Sequence, residues 1–314
     1  MKQRDNILIL SHANPDLDTL GSGLGLRMAL QAVGKRAAQV CADLLTERQA
    51  RILDAPRGLD AEALESGRFA PDYVIAVDTA DPVLLGGYTE KYAGRIDLVI
   101  DHHATNKGYG RLNYVDAASP AAGQIIFEIV EALGIPLTPE LARPLYAAIA
   151  DDTGSFRYQS TSPATHTAAA RLISTGLDFA RLNRLIFQCK SAEQIAVERL
   201  AYNNMEYAFG DRVCVVVITD ALKEAAGLAG AAVEDIHGIT HMGDGVEVGV
   251  LIKQTGEAKY KVSLRSNEYA DVSAVAARFG GGGHVNAAGC TLRGDLGELR
   301  HRLLDAVEAA LRRQ

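Results

Sequence analysis

The chain of 314 residues predicts an α/β fold: a mainly parallel sheet in the N-terminal part, then a smaller α+β domain. Three observations carry that prediction. Apolar β-branched runs alternate with alanine- and leucine-rich segments up to about residue 185, the pattern of successive βαβ units. Clusters of aspartate and histidine stand where four of the apolar runs end, and in open α/β sheets ligands bind beyond the strand ends. After about residue 205 the rhythm changes to closely spaced strand signals and a final helix.

Taken in order, Ile7 to Leu10 reads as a strand followed by HANPDLD. That cluster brings His12, Asp16 and Asp18 into a loop that Gly21, Gly23 and Gly25 keep free of bulky side chains. Leu20 to Val33 has helix-forming composition. Tyr73 to Val77 is the next strand and presents Asp78; Leu98 to Ile100 follows and presents Asp101, His102 and His103. Gly123 to Leu133 and Pro163 to Gly176 read as helices, and Leu145 to Ala150 leads into Asp151, Asp152, Thr153 and Gly154, a turn that stops a helix. Residues 186–204 lack the alternation and read as a connecting helix, so the expected domains are 1–185 and 205–314. In the second, strand signals at 207–209, 213–219, 246–253 and 260–265 precede GGGGH and a helix from Leu296 to Arg313.

Composition bounds the chemistry. Hydrophobic content of 48% with 23% charge excludes disorder over most of the chain. A net charge of −7 argues against gripping long nucleic acid by a basic face, though not against a short anionic substrate. Cys41, Cys189, Cys214 and Cys290 form no CxxC pair, so neither a disulfide framework nor a thiolate zinc site is expected. The apolar run at the start is too short for a signal peptide, and no stretch reaches the about 20 apolar residues of a membrane span. The expected compartment is a reducing cytoplasm, with no membrane partner.

Carboxylate oxygen mixed with imidazole nitrogen suits manganese, magnesium, cobalt or zinc. The preponderance of carboxylate favours a hard ion, and the histidines put Mn²⁺ ahead of Mg²⁺. A pair of such ions about 3.5–4 Å apart clamps the attacking and leaving oxygens of a displacement at phosphorus, so phosphoester hydrolysis is the expected reaction. Each cluster alone has an ordinary explanation. Asn14, Pro15 and Asp16 make a turn, with Asp18 or Thr19 capping a helix; Asp78 is a turn residue; Asp152 ends a helix. Their joint occurrence in one α/β domain, with two consecutive histidines at a strand end, favours the metal site. The glycines of GGGGH allow either a pliable hairpin or close backbone approach to a phosphate, with His284 as a further donor and Arg265 as a forked one. His237 and His241 read as a surface pair or, less readily, as ligands on one helix face. Arg157 has two readings, a place facing the site or a surface ion pair, and Cys290 reads as a small buried residue.

With those motifs in view, the chain resembles the DHH-type phosphoesterases, a family named for the run seen here at Asp101, His102 and His103. SHANPDLDTLGS, VDTAD, DHHATN and ADDTGSFRY match its metal domain. KVSLRS and RFGGGGHVNAAG match its DHH-associated domain. Size and layout are most similar to the stand-alone nano-RNase/pAp phosphatase group. The resemblance implies two metal ions, one held by His12, Asp16 and Asp78 and the other by Asp18, Asp78, His102 and Asp152, with Asp78 bridging. Asp151 stands where the family usually has an uncharged residue; alignment on Thr153 and Gly154 gives the ligand role to Asp152. Asp78 and His103 are the implied catalytic residues, His103 as phosphate anchor or proton donor. Arg265, Gly282, Gly283 and His284 are the implied substrate-binding residues, with the active site in a cleft between the domains.

The expected activity is a manganese-dependent cleavage of very short oligoribonucleotides to mononucleotides, together with dephosphorylation of 3′-phosphoadenosine 5′-phosphate (pAp), Mg²⁺ or Co²⁺ being alternative ions. Rival expectations are a phosphodiesterase of pApA or c-di-AMP and, from another class, a non-catalytic nucleotide-binding sensor. A homodimer is implied by resemblance alone.

Overall fold

Eleven strands and twelve α-helices make up the regular structure of the described residues, 4–233 and 236–312, of this computed structural model. The chain divides into two units, Met1–Cys189 and Lys190–Gln314. The first contains β1 (Asn6–Ser11), α1 (Leu17–Ala32), β2 (Arg36–Cys41), α2 (Glu47–Leu53), α3 (Ala61–Glu65), β3 (Tyr73–Val77), α4 (Thr89–Tyr92), β4 (Leu98–Asp101), β5 (Leu112–Val115), α5 (Ala122–Ala132), α6 (Pro139–Asp152), α7 (Pro163–Ile173) and α8 (Phe179–Asn183). The second contains α9 (Ala192–Asn203), β6 (Met205–Ala208), β7 (Val213–Ile218), α10 (Asp220–Ala225), β8 (Val248–Gly256), β9 (Lys259–Ser266), α11 (Val272–Ala277), β10 (Gly282–His284), β11 (Ala287–Arg293) and α12 (Leu296–Leu311).

The five strands of the first unit pair in the order β2-β1-β3-β4-β5, all parallel. Both faces are covered, which is why β1 and β3 read as unbroken apolar runs. Ile7 and Ile9 of β1 enter the core that contains α1, α5 and α6, whereas Leu8 and Leu10 enter the core on the opposite face. β1 has β2 on one side and β3 on the other, so the chain reverses its direction of winding there. The crevice beyond the carboxyl ends of β1 and β3 is the switch point where such sheets bind ligands.

One expectation is corrected. Gly21, Gly23 and Gly25 lie inside α1, not in a loop. Their bareness serves packing: a Cβ on Gly21 would overlap the Pro144 carbonyl oxygen of α6, one on Gly23 the Gln39 amide, and one on Gly25 the Leu145 side chain. The glycines let α1 approach α6 and β2 closely, and α1 is buried over most of its length.

The second unit is built on a six-stranded sheet, β10-β11-β9-β8-β7-β6, antiparallel except for the β7–β8 pair. Leu299, Leu303, Val307 and Leu311 of α12 pack with Val250, Val262 and Leu264 on one face. Val197, Leu200 and Ala201 of α9 pack with Val216, Ile218 and Leu251. Cys290 is buried in this core as a small apolar residue. Among the described residues no helix is long and apolar enough to cross a membrane.

Candidate active site

The loop after β1 turns on Asn14, whose backbone lies in the left-handed region (φ 51°), and it ends in Asp16, the N-cap of α1. One oxygen of Asp16 accepts the Thr19 N–H at 2.9 Å, which satisfies an otherwise orphaned donor of the first turn. The other faces His12, with Nε2 and Oδ2 3.7 Å apart. The expected cap by Asp18 or Thr19 is therefore taken by Asp16. This leaves Asp18, fully buried in the first turn, to accept Ala122 N–H at 2.7 Å and Gly123 N–H at 2.8 Å from the start of α5.

Asp78 directly follows β3 with φ 54°, a conformation that an aspartate adopts at some strain and that recurs at functional sites. Its carboxylate is buried. Oδ2 lies 3.7 Å from His12 Nε2, and Oδ1 lies 3.4 Å from His102 Nε2 and 3.6 Å from His103 Nδ1. Oδ1 makes no hydrogen bond, although a buried carboxylate oxygen is ordinarily satisfied. His102 Nε2 is also 3.7 Å from Asp18 and 3.3 Å from Asp152.

Three groups of ligand atoms thus converge: His12, Asp16 and Asp78; Asp18, His102 and Asp152; and Asp78 with Asp101, His102 and His103. These donors fit hard or borderline divalent cations and include no thiolate. The histidines are oriented as metal ligands usually are: Nδ1 of His12 is 2.8 Å from the Ala13 carbonyl and Nδ1 of His102 is 3.3 Å from that of Ser119, so Nε2 faces the carboxylates. At the fourth cluster, Asp152 joins the group while Asp151 turns away to accept the Leu17 N–H at 3.2 Å.

Electrostatics describe the same convergence. Burial opposes the charged forms of His12 and His102, yet the adjacent carboxylates outweigh it and raise both imidazoles to about 9. Burial first, then Asp78 and Asp152, push Asp18 well above the usual carboxylate range. Burial also lifts Asp152 to about 7, with His102 opposing and Asp78 and Asp16 adding. So many carboxylates share the space that protons stay where cations of higher charge would fit.

His103 differs from the other two histidines. It is 45% exposed at the side chain, and Nδ1 is held 2.8 Å from Asp101 Oδ1, leaving Nε2 available outward. Asp101 is fully buried and also accepts the backbone N–H groups of His102 and His103 and the Asn106 amide. The support that Asn106 gives this carboxylate was not among the sequence-based expectations. Its only signal was the asparagine of DHHATN, three residues beyond His103.

In the second unit the strand register sets Arg265 opposite Ala287 and Ala287 opposite His284. Arg265 and His284 therefore share one face of the sheet, two strands or about 9.5 Å apart. Gly283 has φ 146°, and a Cβ there would overlap the Ala287 carbonyl oxygen, so the hairpin requires glycine. His241 belongs to none of the ligand groups found among the described residues, and the side chain of His237 lies outside them. Arg157 is exposed, donates Nε to the Gly154 carbonyl and has no ion pair among the described residues.

A doubly wound parallel sheet that gathers carboxylates and imidazoles at its switch point defines the class, an α/β domain whose ligand groups could hold divalent cations. The model of the DHH family, N-terminal domain, matches residues 6–149, and that of the DHHA1 domain matches residues 210–313. The chain belongs to the DHH family of phosphoesterases, as a member with a DHHA1 domain. It is 35% identical to the bifunctional oligoribonuclease and PAP phosphatase NrnA of Thermus thermophilus, over 98% of this chain and 90% of the relative. It is 30% identical to the probable bifunctional oligoribonuclease and PAP phosphatase NrnA of Streptococcus mutans, over 92% and 90%. An exopolyphosphatase-related protein from Bacteroides fragilis has the same fold, with a TM-score of 0.88 at 22% identity over 98% of this chain and 93% of that one.

Proposed function

We propose that this protein hydrolyses very short oligoribonucleotides to mononucleotides and removes a phosphate from pAp, with two divalent cations, Mn²⁺ first among them, as cofactors. The observation that carries the reading is Asp78 Oδ1, buried without a hydrogen bond where the ligand groups meet. The activities for which the two relatives are named, proteins that align over nearly the whole chain, supply the substrate class.

In this reading His12, Asp16 and Asp78 would hold one cation, and Asp18, Asp78, His102 and Asp152 would hold the other. Bound there, the cations supply Lewis-acid polarisation of phosphoryl oxygens and an activated water. The protein's own groups do the rest. Asp101 fixes His103 so that its Nε2 bonds a phosphoryl oxygen or donates a proton to the departing ribose oxygen. Arg265 and His284, with the N–H groups near Gly282 and Gly283, bind a substrate phosphate. Residues 205–314 thus serve substrate binding and the N-terminal domain serves metal binding and catalysis.

The test is chromatography of products after the Mn²⁺-loaded protein meets pAp, a two-residue RNA, a longer RNA and c-di-AMP in separate reactions. Mononucleotides released fastest from the two-residue RNA, with AMP from pAp, are the expected result. Cleavage of c-di-AMP alone would replace the reading with a signalling phosphodiesterase, and no turnover of any of the four would favour the sensor.

A further inference from the structure

The turn that follows Asp152 is built in an unusual way. Gly154, Ser155 and Phe156 are consecutive left-handed residues, with φ of 54°, 61° and 64°, a conformation unfavourable for serine and more so for a bulky phenylalanine. Thr153, fully buried, holds the turn in place. Its hydroxyl accepts Phe156 N–H at 3.0 Å, and its carbonyl accepts Arg157 N–H at 2.9 Å and Tyr158 N–H at 3.1 Å. Ser155 N–H reaches back to the Ala150 carbonyl at 2.7 Å. Phe156 points inward, between Tyr146 and His166, with ring centroids at 6.0 and 5.5 Å.

Tyr158 points the other way. Its side chain is among the exposed large hydrophobics, at 58%, and its ring lies over Gly154, where a Cβ would overlap three ring carbons. Gly154 is two residues from Asp152, so their Cα atoms are at most about 7.6 Å apart. A strained turn, held by hydrogen bonds to Thr153 and Ala150, thus carries an exposed aromatic ring packed on Gly154, two residues along the chain from a candidate ligand. Strain of this kind is retained where it positions a functional group, and open aromatic faces near a phosphate-handling site stack bases.

We infer that Tyr158 is the surface on which a nucleobase of the substrate stacks, a role that rests on the nucleotide-hydrolase reading above. Because every base has a π-face, the contact gives affinity for a base-bearing substrate with little choice among bases.

The chain contains no tryptophan, so Tyr158→Trp places a single reporter at this position. With Mg²⁺ present, AMP is expected to quench its fluorescence at concentrations where ribose 5-phosphate does not. Tyr158→Ala is expected to lower kcat/KM for a two-residue RNA by about 5- to 100-fold, mainly through KM, while Tyr158→Phe stays within about twofold of the parent and both keep its thermal midpoint. Equal quenching by AMP and ribose 5-phosphate, no quenching, or an unchanged KM in Tyr158→Ala would overturn the assignment. The quenching is read without turnover. A parent protein that cleaves no RNA while AMP still quenches selectively would remove the hydrolase reading and leave the stacking surface supported.

Discussion

Replacing Gly21 by alanine tests why α1, capped by Asp16 and carrying Asp18, can lie so close to α6. A methyl group at that position would overlap the Pro144 carbonyl oxygen and approach Ala148 Cβ to 3.1 Å. Relief of the glycine penalty in a helix favours alanine by about 1 kcal/mol. Against it stands overpacking, about 1–3 kcal/mol in a well-packed core, and the blocking atom here is backbone, which cannot rotate away. The upper half of that range applies, so the net loss is about 1–2 kcal/mol, or roughly 2–8 °C in the thermal midpoint for a unit of this size. The separation also moves Asp18, so metal affinity falls. The assay is thermal unfolding with and without Mn²⁺, using Gly87→Ala, where a Cβ meets nothing within 4 Å, as a neutral control. A Gly21→Ala protein as stable as its parent would refute the close-packing account of the glycines.

Three other outcomes are expected. In the metal-free protein His12 and His102, raised to about 9 from 6.5, contribute stability that is complete below pH 6.5 and lost as the pH climbs to about 9; Asp152, raised from 3.8 to about 7, loses stability across that interval. Cations replace these protons, so the midpoint gain on adding Mn²⁺ is larger at pH 8.5 than at pH 6.5 by scanning fluorimetry, and a gain that shrinks with pH would contradict the account. Asn106→Ala frees one oxygen of Asp101 and lowers turnover of a two-residue RNA about 10- to 100-fold, with metal stoichiometry measured by equilibrium dialysis unchanged; full activity would show that His103 needs no such support. Arg265→Ala raises KM about tenfold or more by steady-state kinetics, the effect of losing a hydrogen bond to a charged phosphate, and an unchanged KM would remove Arg265 from the substrate site.

The parts of the first sheet legible from sequence were those buried on both faces. β1 and β3 are unbroken apolar runs because neighbouring residues enter opposite cores. β2 carries Gln39 and two alanines, and β5 is exposed along its whole length, so neither announces itself as a strand. The glycines of α1 resemble loop residues because close packing of a helix and a flexible turn demand the same missing Cβ. The clusters could be read as converging because strand ends in a parallel sheet share one edge. What could not be read was their fine placement. The left-handed torsion of Asp78, the split duty of Asp16 between helix cap and His12, and the hold of Asn106 on Asp101 depend on tertiary contacts that leave little or no trace in spacing.

The proposal on which the rest depends is that Asp78 would be needed to hold both cations. The direct measurement is Mn²⁺ bound per chain, by equilibrium dialysis, together with turnover of a two-residue RNA, in the parent and in Asp78→Asn, which keeps the shape and removes the charge. The account predicts close to two ions per chain in the parent, and at most one tightly bound ion in the variant with turnover lowered roughly a thousandfold, the effect of about 4 kcal/mol of lost charge stabilisation. Two ions retained in Asp78→Asn, or turnover within tenfold of the parent, would contradict it.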